Sequence, residues 1–113
     1  MRPLYHPSLE EISVQGIVYA LSDPVRVRIL AELAQADCAM NCSAFVSNGK
    51  LKLPKSTLSQ HFKVLREAGL IRSERKGVEL KNSTRCHELK KKFGPMVTGI
   101  LNAYANQAGE SKR

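Results

Sequence analysis

The stretch LPKSTLSQHFKVLREAGLIRSERKG, Leu53 to Gly77, decides the fold. At 100° per residue, Leu58, Phe62 and Leu65 share one stripe and Ser56, Gln60, Lys63 and Glu67 fall opposite, the period of a helix with one buried side. The spacing predicts that helix over about Lys55 to Ala68, stopped by Gly69. Its outward side is unusual. A helix facing water ordinarily carries a dense mix of Glu and Lys, whereas this one carries short hydrogen-bonding side chains and lysines. LIRSE, RKG and VELKN follow, two short extended runs around a turn, which read as a β-hairpin with a basic tip.

Upstream, DCAMNCSAFVSNGKLKL holds at most a short helix around Ser43 to Val46, ended by Asn48 and Gly49. SDPVRVRILAELAQA opens with Asp23 as N-cap and Pro24 at the first helical position, and Val25, Ile29, Leu30 and Leu33 form its buried stripe. SLEEISVQGIVYAL, residues 8–21, is expected to be a helix capped by Ser8, with Glu11 three residues on and Leu9, Ile12, Ile17, Ala20 and Leu21 at near-helical spacing. At the other end Leu89, Phe93, Met96, Val97, Ile100, Leu101 and Tyr104 form a regular stripe. Gly94 and Pro95 interrupt it, which predicts a short helical piece and then a main helix from Pro95 to about Gln107.

The chain of 113 residues is 42% apolar and 25% charged, the size and composition of one globular domain. Its charge is regional. Lys50 to Lys92 holds 13 basic against four acidic residues, +9, and the rest holds five against six, −1. A positive part joined to a near-neutral part is the footprint of a protein that meets a polyanion. No run approaches the roughly 18 to 20 apolar residues of a membrane span, and MRPLYHPSLEEIS lacks the apolar core of a signal peptide. A cytoplasmic location is expected, and three cysteines without an export signal suggest reduced thiols.

A short helix, a turn, a polar-faced helix and a basic hairpin, in that order, make a winged helix-turn-helix, a mainly α fold with a small β-hairpin (α+β). ALSDPVRVRILAELA followed by STLSQHFKVLREAGLIRSERKG also closely resembles the arsenic-repressor (ArsR/SmtB) family of bacterial transcriptional repressors over roughly Val18 to Arg85. The resemblance implies a cytoplasmic homodimer that binds a palindromic double-stranded DNA operator and releases it when an effector arrives. The expected organisation is a single domain over 1–113, with 8–21 and 95–107 as dimerisation helices, 43–69 as the helix-turn-helix and 70–82 as the wing.

A recognition helix meets base edges with residues near its N-terminus, where Ser56, Thr57, Ser59 and Gln60 stand. Gln can bond adenine in bidentate fashion and Thr can touch a thymine methyl. Lys55, Lys63, Arg75 and Lys76 would neutralise phosphates, the last two from the hairpin tip. His61, about 60° from the apolar stripe, has two readings, a DNA contact or a half-buried structural ring. Leu9, Ile12, Met96, Val97, Ile100, Leu101 and Tyr104 are expected at the dimer interface, because a small domain rarely needs so apolar a terminal helix for its own core.

Cys38 and Cys42, four apart in DCAMNC, could meet one soft ion such as As(III), Zn(II) or Cu(I), with Cys86, His87 or His6 as further donors. The pair could equally oxidise. The family's Glu-Leu-Cys-Val-Cys-Asp-Leu run is absent, as are the Asp-x-His and His-x-x-Glu patterns of its zinc site. An organic effector, or none, is the alternative, as is a winged helix used for protein or RNA contact. The few acids are scattered and form no catalytic pair, so no enzyme is expected.

Overall fold

The computed structural model describes residues 4–35, 40–41, 53–77 and 79–111. In chain order it contains α1 (Val14–Ala20), α2 (Pro24–Gln35), β1 (Met40–Asn41), α3 (Lys55–Glu67), β2 (Ile71–Lys76), β3 (Glu79–Thr84), α4 (Cys86–Leu89) and α5 (Gly94–Ser111). The short helix expected at Ser43 to Val46 lies outside the described residues.

The first helix is shorter than the expected 8–21. Ser8 and Glu11 do make the reciprocal contact of a cap, the Ser8 amide donating to Glu11 Oε1 at 2.8 Å, but they close a single turn. The chain leaves that turn to bury Ile12. Ser13 then starts the helix afresh, its Oγ accepting from the Gly16 amide at 3.0 Å. Two serines could each have capped, and packing of Ile12 selects the second.

Asp23 caps α2 as expected, Oδ1 accepting from the Val25 amide at 2.8 Å. Val27, Ile29, Leu30 and Leu33 are buried, so this helix is apolar over more of its circumference than the stripe alone suggested. It packs against α3, β3 and α5 and forms the centre of the core.

Helix α3 buries Leu58, Phe62 and Leu65, the predicted stripe. Its end is a Schellman motif: the Gly69 amide donates to Arg66 O and the Leu70 amide to Leu65 O, both at 3.0 Å, with Leu65 and Leu70 buried side by side. Gly69 sits at φ +87, and a Cβ there would collide with the Ile12 side chain. The chain can therefore turn directly into β2 only with glycine at that position.

Strands β2 and β3 pair antiparallel from Ile71↔Thr84 to Lys76↔Glu79, with Gly77 at φ +66 in the turn. A third strand was not foreseen. β1 pairs with β3 through Met40↔Asn82 and Asn41↔Lys81, giving the order β1-β3-β2. Two residues carry no alternation to read. Downstream, α4 and α5 reproduce the interrupted stripe, with Phe93 and Val97 in the core.

Candidate nucleic-acid interface

Lys55, Ser56, Thr57, Ser59, Gln60 and Lys63 are all exposed on α3. Among the described residues none of these side chains has a hydrogen-bond or ion-pair partner. These six side chains, on a helix whose other side is core, are thus open to solvent on one polar face. Arg75 is exposed near the end of β2, and Lys76 closes the same strand. The helix start and the hairpin tip therefore belong to successive elements joined by the Gly69 turn.

His61 is half-buried. Its Nδ1 lies 3.3 Å from NH1 of Arg26 on α2. Arg26 is held in turn by Ala20 O, which accepts from Nε at 2.7 Å, and by Tyr19 O at 3.3 Å, with Asp23 3.7 Å away and the Tyr19 ring beneath its guanidinium. Sequence reasoning missed Arg26. Its basic character within the apolar run PVRVRIL was a signal that it was placed for a purpose, but its partner is 35 residues away.

The wing is braced by polar contacts that the sequence did not foretell. Buried Ser73 donates from Oγ to Asn82 Oδ1 at 2.6 Å and accepts from Arg66 NH1 at 3.3 Å, which joins both strands to the end of α3. Arg85, also buried, donates to Pro7 O at 2.7 Å and to the Glu88 carboxylate. That carboxylate receives Arg72 as well, at 3.0 Å. The Arg85 and Arg72 hydrogen bonds hold the Glu88 carboxyl below its ordinary range. His6, considered above as a metal donor, is engaged otherwise: the Ser73 amide donates to its Nε2 at 2.9 Å. Burial, with Arg72, Arg66 and Arg85 nearby, lowers the His6 pKa, only partly offset by a bond to the Leu4 backbone.

Cys38 and Cys42 lie outside the described residues. Cys86 is free and half-buried at the start of α4, beside exposed His87. Among the described residues no three His, Cys, Asp or Glu side chains gather where they could hold a metal ion. A groove of about 640 Å³ lies between α2, α4 and α5, lined chiefly by apolar atoms with Cys86, His87, Lys90 and Thr98 at its wall.

Of the residues expected at a dimer interface, Ile12 and Val97 are spent in the core of their own chain, at 5% and 3% exposure. Ile12 is consumed against Gly69. Leu9 is exposed, and Met96, Ile100, Leu101 and Tyr104 pack only partly against the core. Helix α1 adds two residues not foreseen, Val14 and Val18, each 50% exposed and four apart on one side. Among the described residues no helix is long and apolar enough to cross a membrane.

Comparison with known proteins places this geometry. A family model described as a helix-turn-helix domain matches residues 21–74, from the end of α1 into β2. An ArsR-like transcriptional regulator from Rhodococcus sp. RHA1 superposes with a TM-score of 0.59 at 24% identity, over 87% of this chain and 88% of that one. The transcriptional repressor PagR of Bacillus anthracis does so with a TM-score of 0.55 at 29% identity, over 77% of this chain and 86% of that one. No curated protein sequence matches the chain.

Proposed function

We propose that the chain is a winged helix-turn-helix regulator of the ArsR type, a DNA-binding protein and not an enzyme, which acts as a cytoplasmic homodimeric repressor released from a palindromic operator by an effector; its similarity to a helix-turn-helix family model and to two solved transcriptional regulators supports this reading. The observation that carries this reading is the unpaired polar face of α3 next to a basic wing. Lys55, Ser56, Thr57, Ser59, Gln60 and His61 read bases and flanking phosphates in the major groove, and Lys63, Arg75 and Lys76 neutralise phosphates.

A palindrome follows from a two-fold dimer that presents one α3 to each half-site. The dimer seam is built from Leu9, Val14 and Val18 with Met96, Ile100, Leu101 and Tyr104. That PagR is a repressor favours repression as the direction of control. The test is to select duplexes from a random library with the purified chain and to measure their affinity against salt. Recovery of two inverted half-sites and a steep fall of log affinity with log salt is the expected result. An asymmetric site, or an affinity indifferent to salt, overturns the reading.

For the effector, the proposed site is Cys38 with Cys42, taking As(III), Zn(II) or another thiophilic ion, or a thiol oxidant. Drawing the two sulfurs together would strain the segment leading into the helix-turn-helix. A preference of about 3 kcal/mol for the non-binding geometry would lower operator affinity more than a hundredfold. If Cys38→Ser/Cys42→Ser still lets go of operator with the wild-type effector, the cysteines are bystanders. The groove between α2, α4 and α5 favours a second reading, an organic effector, since its volume falls in the range of small-molecule sites. Filling it by Thr98→Trp would then abolish release and spare operator binding.

A further inference from the structure

We propose that Arg26 is a positioning residue that fixes the tautomer of His61, so that α3 offers DNA an Nε2–H donor at that point. This rests on the DNA-binding reading above and deepens it.

A guanidinium has donors only. With Arg26 NH1 3.3 Å from His61 Nδ1, Nδ1 must be the accepting nitrogen, and the ring's proton is on Nε2. Arg26 does not depend on His61 for its own place. Ala20 O, Tyr19 O, the Asp23 carboxylate and the Tyr19 ring already fix it, and its side chain is only 11% exposed. The arginine is thus a rigid reference, built on α1 and α2, against which the imidazole on α3 is set.

Nε2 lies farther from the helix backbone than Nδ1, and among the described residues it has no partner. His61 is one turn beyond exposed Thr57 on the same strip and next to Gln60, both also unpaired. No buried side-chain nitrogen among the described residues lacks a partner, so this N–H is open to solvent and free to exchange water for an outside acceptor. The partner it fits is an acceptor atom of duplex DNA, either a phosphate oxygen or a base acceptor in the major groove. The fixed donor also confers selectivity, because it opposes the amino groups of adenine and cytosine. An imidazole free to choose its tautomer could bond either kind of edge.

Two measurements test this. In the full chain without DNA, with 15N-labelled histidines, long-range 1H–15N spectra should show His61 carrying its proton on Nε2. Arg26→Met keeps the apolar stem and removes the donor, and both tautomers should then be populated. A proton on Nδ1 in the wild type, or an undisturbed single tautomer in folded Arg26→Met, overturns the proposal.

The second measurement leaves Arg26 in place, so it does not depend on Arg26→Met folding. It uses a duplex selected by the wild-type chain from a random library. His61→Gln, whose amide N–H stands near the position of Nε2, should bind about as well as wild type. His61→Asn, whose amide mimics Nδ1, and His61→Ala should each lose roughly five- to tenfold.

Unchanged binding by His61→Ala, or rescue by Asn and not Gln, overturns the proposal. Methylphosphonates at single phosphates and base-pair exchanges at single positions then locate the acceptor. A phosphate is identified if one methylphosphonate weakens wild type and spares His61→Ala, and a base edge if one exchange does so. If no position does, the proposal falls. Failure of wild type to select any duplex would instead overturn the DNA-binding reading itself, and the DNA-free spectra judge the tautomer separately.

Discussion

In the proposed interface Gln60 and Arg75 stand for the two kinds of DNA contact, and they should respond differently to truncation. Gln60→Ala removes a side chain that can read one base, so it should relax preference at one position for about 1–3 kcal/mol. Arg75→Ala removes only charge at the hairpin tip and should weaken selected and random duplexes alike, with a shallower salt slope. Titrations of both duplex types at two salt concentrations separate the outcomes. Gly69 belongs to the same scale. Its φ of +87 and the Ile12 side chain lying where a Cβ would go predict that Gly69→Ala loses about 1–3 kcal/mol, measurable by denaturant unfolding. The glycine was legible in the sequence as a helix stop. Its collision partner was not, because Ile12 comes from a distant segment that reads equally well as part of a helix.

Among the elements, long periodic ones were legible and short ones were not. The stripe of α3, the Asp23–Pro24 start of α2 and the Gly94–Pro95 break each have a local physical cause that acts within a few residues. β1 has none, since its two residues become a strand only because β3 offers them a free side. The segment before α1 was misread because Ser8 with Glu11 and Ser13 with Gly16 are both good caps, and tertiary burial decided between them.

That segment, residues 4–12, also carries the pH dependence of the wing's support. His6 accepts from the Ser73 amide, and its pKa is lowered below the ordinary 6.5 by burial and by Arg72, Arg66 and Arg85. The folded chain therefore binds a proton less readily than the unfolded chain. Its stability should be lost as pH falls through 6.5 toward the lowered value, and regained above it. Glu88, with its pKa lowered by Arg85 and Arg72, adds a loss of the same sign below its ordinary 4.5. Thermal unfolding across this range should show the first decline in wild type and a flatter curve in His6→Gln.

At the scale of the molecule, the proposed assembly gives the basic segment Lys50 to Lys92 to DNA and the apolar remainder of α1 and α5 to a second copy. Ile100→Asp would put a carboxylate into that seam at a cost of several kcal/mol. It should sediment as a monomer with weakened operator affinity, and a variant that stays dimeric would move the seam elsewhere. The bonds that join His6 to Ser73 and Pro7 to Arg85 span 67 and 78 residues, most of the length of the chain, and so impose an order of events during synthesis. His6 and Pro7 leave the ribosome early, yet they have nothing to dock against until the hairpin and Arg85 have emerged. Closing so long a loop gains no help from neighbours in sequence. The segment that carries His6 and Pro7 is therefore made well before the groups that hold it, and a nascent chain stalled before Arg85 would carry it undocked.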